Sequence, residues 1–169
     1  MGYPPQSWGP ITADMGIIDH HIHSRWRVYP QDVTSTVQLE AAAVANTFGS
    51  WVQILPINTV PFDIDLVGVV IEQVSAATTY HVQLGWSPTA ADPGANRECG
   101  ERRVRIVTVP IARATEVLEI AAQDIPANSS IWGRLKTASG AADTTNISIV
   151  IARHMEVSNP VPIWSAFPW

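Results

Sequence analysis

Ile131-Trp132-Gly133-Arg134-Leu135-Lys136 and Ile147-Ser148-Ile149-Val150-Ile151-Ala152 are the two runs on which the reading of this chain turns. In the first, Ile131, Gly133 and Leu135 share one side of a period-2 pattern, and Trp132, Arg134 and Lys136 share the other. In the second, Ile147, Ile149 and Ile151 lie opposite Ser148, Val150 and Ala152. Successive side chains of a strand point to opposite faces, so each run is a strand with one apolar face. Residues 137–145 between them are Thr, Ala, Ser, Gly and Asp, which build no core but tolerate turns, and the unit reads as a hairpin. A hairpin with one apolar face is not stable alone. The rest of the chain must supply a second sheet to cover it.

Upstream, the same alternation recurs. Val33, Val37 and Leu39 mark a strand near Thr34–Glu40, and Trp51–Leu55 a second that stops at Pro56. The Ala-rich run 41–45 could form a helical turn, too short to be stable alone. Phe62–Val74 is the longest apolar strand, and its parity changes midway. Phe62, Ile64 and Leu66 are even, while Val67, Val69 and Ile71 are odd. Gly68 sits at the change, which predicts either a bulge or a strand buried on both faces. Tyr80, Val82, Leu84 and Trp86 alternate cleanly. A polar loop follows over 87–100, then a strand over Glu101–Val109 and a weaker one over Thr115–Ile120. About eight strands with regular turn signals predict an all-β, antiparallel two-sheet sandwich of jelly-roll type. An immunoglobulin-like sandwich is the runner-up. The antibody-type version needs a Cys–Trp–Cys framework, and Cys99 is the only cysteine.

Three regions follow. Residues 1–32 carry prolines and aromatics with little periodicity and read as an extended N-terminal arm. Residues 33–157 are the sandwich, and 158–169 form an aromatic, proline-rich tail. Rings of this size bury about 150–250 Å² each. Tyr3, Trp8, Trp26, Trp164, Phe167 and Trp169 are therefore the expected partner-docking residues of the two arms.

Composition limits the function. Charged residues are 15% of 169, well below the usual ~25%, which suggests a surface partly covered by partners. A net charge of -5 argues against a nucleic-acid partner and against an anionic membrane. No apolar run approaches the ~20 residues that span a bilayer. The first residues lack the basic-then-apolar pattern of a secretory signal. One cysteine allows neither an intrachain disulfide nor a cysteine metal cluster.

Candidate chemistry is sparse, and no catalytic residue is assigned. Asp19, His21 and His23 look like the first metal motif of amidohydrolases, because residues two apart on a strand share a face. That family needs a barrel of roughly 250 residues and further ligands. His81 and His154 each sit in a predicted strand far from any companion motif, so His21 and His23 stay weak metal candidates and no cofactor is expected. Asp63 and Asp65 share a strand face and could be paired carboxylates, but a solvated face is the simpler reading. Arg102, Arg103 and Arg105, flanked by Glu98 and Glu101, read as structural ion pairs. No nucleophile elbow, phosphate loop or dinucleotide fingerprint occurs. The chain reads as a non-enzyme.

Taken together, Asn46–Pro56, Phe62–Asp65, Thr79–Leu84, Ile125–Ile131 and Thr145–Ile149 resemble small virion proteins of tailed bacteriophages, some of which are similar to capsid decoration (cement) proteins. The resemblance covers roughly residues 40–156. It implies a jelly-roll-like domain bound to the major capsid protein on the outer surface of a virion, often as a homotrimer, assembled in the host cytoplasm. The alternative is a glycan-binding β-sandwich of a fibre or carbohydrate-binding module, with exposed Trp stacking on sugars.

Overall fold

The computed structural model describes residues 26–32, 34–94, 97–107 and 117–154. They form nine strands: β1 (Arg27–Tyr29), β2 (Val37–Glu40), β3 (Val52–Leu55), β4 (Ile64–Val74), β5 (Thr79–Ser87), β6 (Glu98–Arg105), β7 (Val117–Ile125), β8 (Ser130–Thr137) and β9 (Thr144–Arg153). One sheet has the order β1-β9-β4-β7, with β2 also on β9. The other has the order β3-β8-β5-β6. Every strand pairing is antiparallel.

β1 pairs with Ile149–Ile151 and β2 with Thr144–Ile147, so the two lie in line along one edge of β9. Counting them as one position leaves eight. β2 pairs with β9, β3 with β8, β4 with β7 and β5 with β6, as in one long hairpin whose tip is β5–β6. Rolling that hairpin brings β9 against β4 and β8 against β5, which closes the two sheets. This is the jelly-roll arrangement.

The local hairpin expected over 131–151 is therefore absent. β8 belongs to the four-stranded sheet and β9 to the five-stranded one, and residues 138–143 cross between them. The two isoleucine-bearing faces meet across the interior instead of lying side by side. Ile131, Leu135, Ile147 and Ile149 are fully buried, with Ile151, Val82 and Leu84 beside them, as the alternation predicts. Gly133 also faces this interior. A Cβ there would stand 2.9 Å from Ile54 Cδ1, so the facing side chains need its smallness.

Of the two alternatives open at Gly68, β4 takes the bulge. Leu66 pairs with Ile151 and Gly68 with Val150, which leaves Val67 as the extra residue. A second shift between Ile71 and Gln73 returns the parity, so Ile64, Leu66, Val69, Ile71 and Val74 are all buried. β7 bulges twice against β4. Its partners run Glu119, Ala122, Ile125 while β4 runs Gly68, Leu66, Ile64. The additional residues include Ala121 and Asp124, whose φ values of 55° and 59° are left-handed. Asp adopts that region more readily than most side chains do.

Other expectations shift at their edges. β1 lies inside the stretch read as arm, so the sheet begins before residue 33. β6 starts at Glu98, which shortens the expected 87–100 loop, and buried Pro93 of that loop packs on Gly85. Ala41–Ala45 is not helical. Ala41 bridges to Leu135, and the chain then turns with Thr47 N–H donating to the Val44 carbonyl.

Candidate functional site

Two constellations stand out among the described residues. The first is a corner where β4, β7 and β9 end together. Asp63 precedes β4, and its Oδ1 accepts the Ala127 amide at 2.6 Å in the turn between β7 and β8. Asp65 Oδ1 accepts the Asp124 amide at 3.2 Å. These acceptor-only groups satisfy backbone donors that the β7 bulge and turn leave free. The Asp124 bulge sets its side chain beside His154, the residue after β9, whose own amide donates to the Asp63 carbonyl at 2.8 Å. The imidazole stands between two acids. Nδ1 is 2.8 Å from Asp65 Oδ1, and Nε2 is 2.9 Å from Asp124 Oδ1. The hydrogen bond to Asp65 holds the His154 pKa above the usual histidine value. Slight burial opposes this, and the charges of Asp65, Asp124 and Asp63 add to it.

One donor atom each from Asp65, Asp124 and His154 lies within 4.8 Å of the others, close enough in principle for a shared cation. The imidazole itself fills that role. Both of its nitrogens face carboxylates at hydrogen-bond distance, which makes the arrangement an ion-pair bridge when the ring is protonated.

The second constellation is the outward face of the four-stranded sheet. Arg134 of β8 lies with its guanidinium carbon 4.4 Å from the ring centres of both Phe48 and Trp51. Its Nε donates to Gln83 Oε1 at 2.6 Å, and it pairs with Glu98 at 3.3 Å. Lys136, two residues on, stands 4.3 Å from the Phe48 ring centre. Cation–π contacts of this kind contribute on the order of 0.5–2 kcal/mol each, more as they are desolvated. They clamp the Phe48–Trp51 segment onto the sheet. His81 lies on the same face, 3.3 Å from Glu101. Burial lowers its pKa; Glu101 opposes that, and the positive Lys136 and Arg103 reinforce it. The two described histidines are thus set in opposite directions, one toward the charged form and one toward the neutral form.

Comparison of this chain with known protein families, with curated proteins and with solved structures finds no match.

The sequence-predicted sites fare unevenly. His21, His23, Tyr3, Trp8, Trp164, Phe167 and Trp169 lie outside the described residues. Trp26 is described, stands just before β1 and is 63% exposed. His81 and His154, read as lacking companions, each have acidic partners. Glu101, expected to pair with a neighbouring arginine, instead meets His81 on the adjacent strand β5, and Glu98 reaches past β5 to Arg134 on β8. Cross-strand neighbours on one face are closer than sequence neighbours, which point to opposite faces. The Asp65–Asp124–His154 corner was missed, since its members stand 59 and 89 positions from Asp65 and share no local motif. Burial pushes the Cys99 thiol up to about 12, which disfavours the thiolate.

Proposed function

We propose that this chain is a virion structural protein that decorates the outer surface of a phage capsid, binding the major capsid protein as a homotrimer. The observation that carries the reading is the complete eight-position jelly roll, an architecture that recurs in viral capsid domains. Fold alone does not assign function. The surface adds weight. On the outward face of the five-stranded sheet Val28 pairs with Val150, and Val70 with Val117 and Ser148. Val28 is 50% exposed. Val150 and Ser148 are already buried within the chain, so the apolar surface that a second copy or a shell would cover here is Val28 with half-buried Val70 and Val117.

Light scattering at micromolar concentration is expected to return about three times the 18.4 kDa chain mass. A value near 18.4 kDa would remove the case for a solution trimer. The deciding experiment compares cryo-EM maps of particles from the encoding virus assembled with and without the chain. Extra density on the outer surface supports decoration, and its absence sinks it.

Deletion of residues 160–169 is expected to leave melting unchanged and abolish particle binding. A fall of several degrees would instead make the tail a cap on its own sandwich, as when about 1–2 kcal/mol is lost from a domain of this size. Unchanged binding and melting together would end the docking-arm idea.

The glycan-binding alternative needs open aromatic faces for stacking. Arg134 lies over Phe48 and Trp51, and Arg97 lies 5.4 Å from the Trp86 ring centre. Those contacts cover Phe48, Trp51 and Trp86 and leave Trp26, 63% exposed, as an open ring, and on that balance we favour the first reading. Specific hits on a glycan array, with no capsid density, would reverse that preference.

A further inference from the structure

Both nitrogens of one imidazole face carboxylate oxygens at hydrogen-bond distance in the β4–β7–β9 corner. Ionised carboxylates only accept hydrogen bonds, and a neutral imidazole has a single N–H to give. Only the imidazolium can serve Asp65 and Asp124 at once. A neutral ring would keep one bond and turn its other nitrogen, a lone pair, toward the remaining carboxylate.

We propose that His154 is a protonation-dependent clasp: as imidazolium it ties the end of β9 to Asp65 of β4 and Asp124 of β7, and as neutral imidazole it releases one of the two. Among the described residues the charged groups that face it are Asp65 and Asp63 from β4 and its approach and Asp124 from β7; Arg153 is its neighbour on β9. Arg153 is engaged elsewhere, its guanidinium carbon 5.2 Å from the Phe62 ring centre. The corner therefore presents three acids to one imidazole.

The pH sense follows from the raised pKa. The clasp's contribution is complete below the unfolded value near 6.5 and is lost as pH rises through the higher folded value. Because the folded value lies above 6.5, release falls on the neutral-to-alkaline side. This inference does not depend on the capsid reading and is tested on the isolated protein.

The experiment is NMR on the full chain. The His154 ring is titrated through its nitrogen shifts, and the His154 amide, bonded to the Asp63 carbonyl, is followed by hydrogen exchange corrected for the intrinsic pH dependence. The expected result is a ring midpoint above 6.5, with both nitrogens protonated below it. Amide protection should fall by up to about fivefold through the same midpoint, as loss of a largely exposed ion pair implies. Asp124→Asn is the second arm. Asn tolerates the left-handed backbone at this position, so the bulge is kept while the charge is removed. The midpoint should drop in that variant. A wild-type midpoint at or below 6.5, pH-independent protection, or an unmoved midpoint in Asp124→Asn would each overturn the clasp.

Discussion

Ile149→Ala is expected to cost about 2–5 kcal/mol of stability, which lowers the melting temperature by roughly 5–15 °C in a chain of this length. Ile149 is fully buried at the centre of β9, paired in its own sheet with Val69 and Tyr29. Its side chain points at the interior shared with β8 and β5. Removing three carbons there loses their transfer energy and leaves a cavity that two hydrogen-bonded sheets cannot easily close. Ile149→Val, one methyl less, should cost about 0.5–1.5 kcal/mol, and the ratio of the two reports how far the site collapses. Chemical denaturation of both variants measures this. A loss below about 0.5 kcal/mol for the alanine variant would mean that the strand register is wrong, since a one-residue slip turns all three isoleucines outward.

Gly68→Ala should cost about 1–3 kcal/mol, through overpacking instead of a cavity. A Cβ at Gly68 would stand 2.4 Å from the Leu118 carbonyl oxygen and 2.8 Å from Val117 Cγ1. The side chain can move, but the carbonyl belongs to the β4–β7 ladder and cannot move without loosening it. A second substitution separates these contacts. Val117→Ala placed with Gly68→Ala removes the side-chain clash and leaves the carbonyl clash, so it should restore only part of the stability. Full restoration would show that the backbone approach is not the limiting contact. The same strain bears on the corner, because the β7 bulge holding Asp124 lies along this ladder. The His154 midpoint is therefore expected to fall in Gly68→Ala, toward the value it takes in Asp124→Asn.

Much of the interior was legible in the chain. The alternation of Ile131, Leu135, Ile147, Ile149 and Ile151 named core residues correctly, because period 2 is set by backbone geometry and holds wherever a strand lies. The parity change at Gly68 was readable for the same reason: an inserted residue flips the sequence pattern just as it flips the strand. The second change, near Glu72, went unread because only Val74 follows it before the strand ends. β1 escaped notice because three residues beside an edge carry too little pattern to stand out from a proline-rich segment.

Tertiary structure alone decided what covers what. An apolar strand face records that it needs a cover and not which neighbour supplies it, so β8 and β9 looked like a hairpin although they lie in opposite sheets. In a rolled long hairpin β9 pairs with β2 and β4, more than seventy positions away, and those pairings are fixed only when the whole chain has closed. Asp65, Asp124 and His154 meet as a result of that closure together with two bulges in β7. Arg134 meets Phe48 and Trp51 for the same reason, a segment far upstream being laid across the sheet. The sequence by itself determined eight of the nine strands, the core-facing side of most of them and the kink in the longest. Which strands became neighbours, and therefore where carboxylates met an imidazole, was decided by pairing between distant segments, which a local side-chain pattern does not encode.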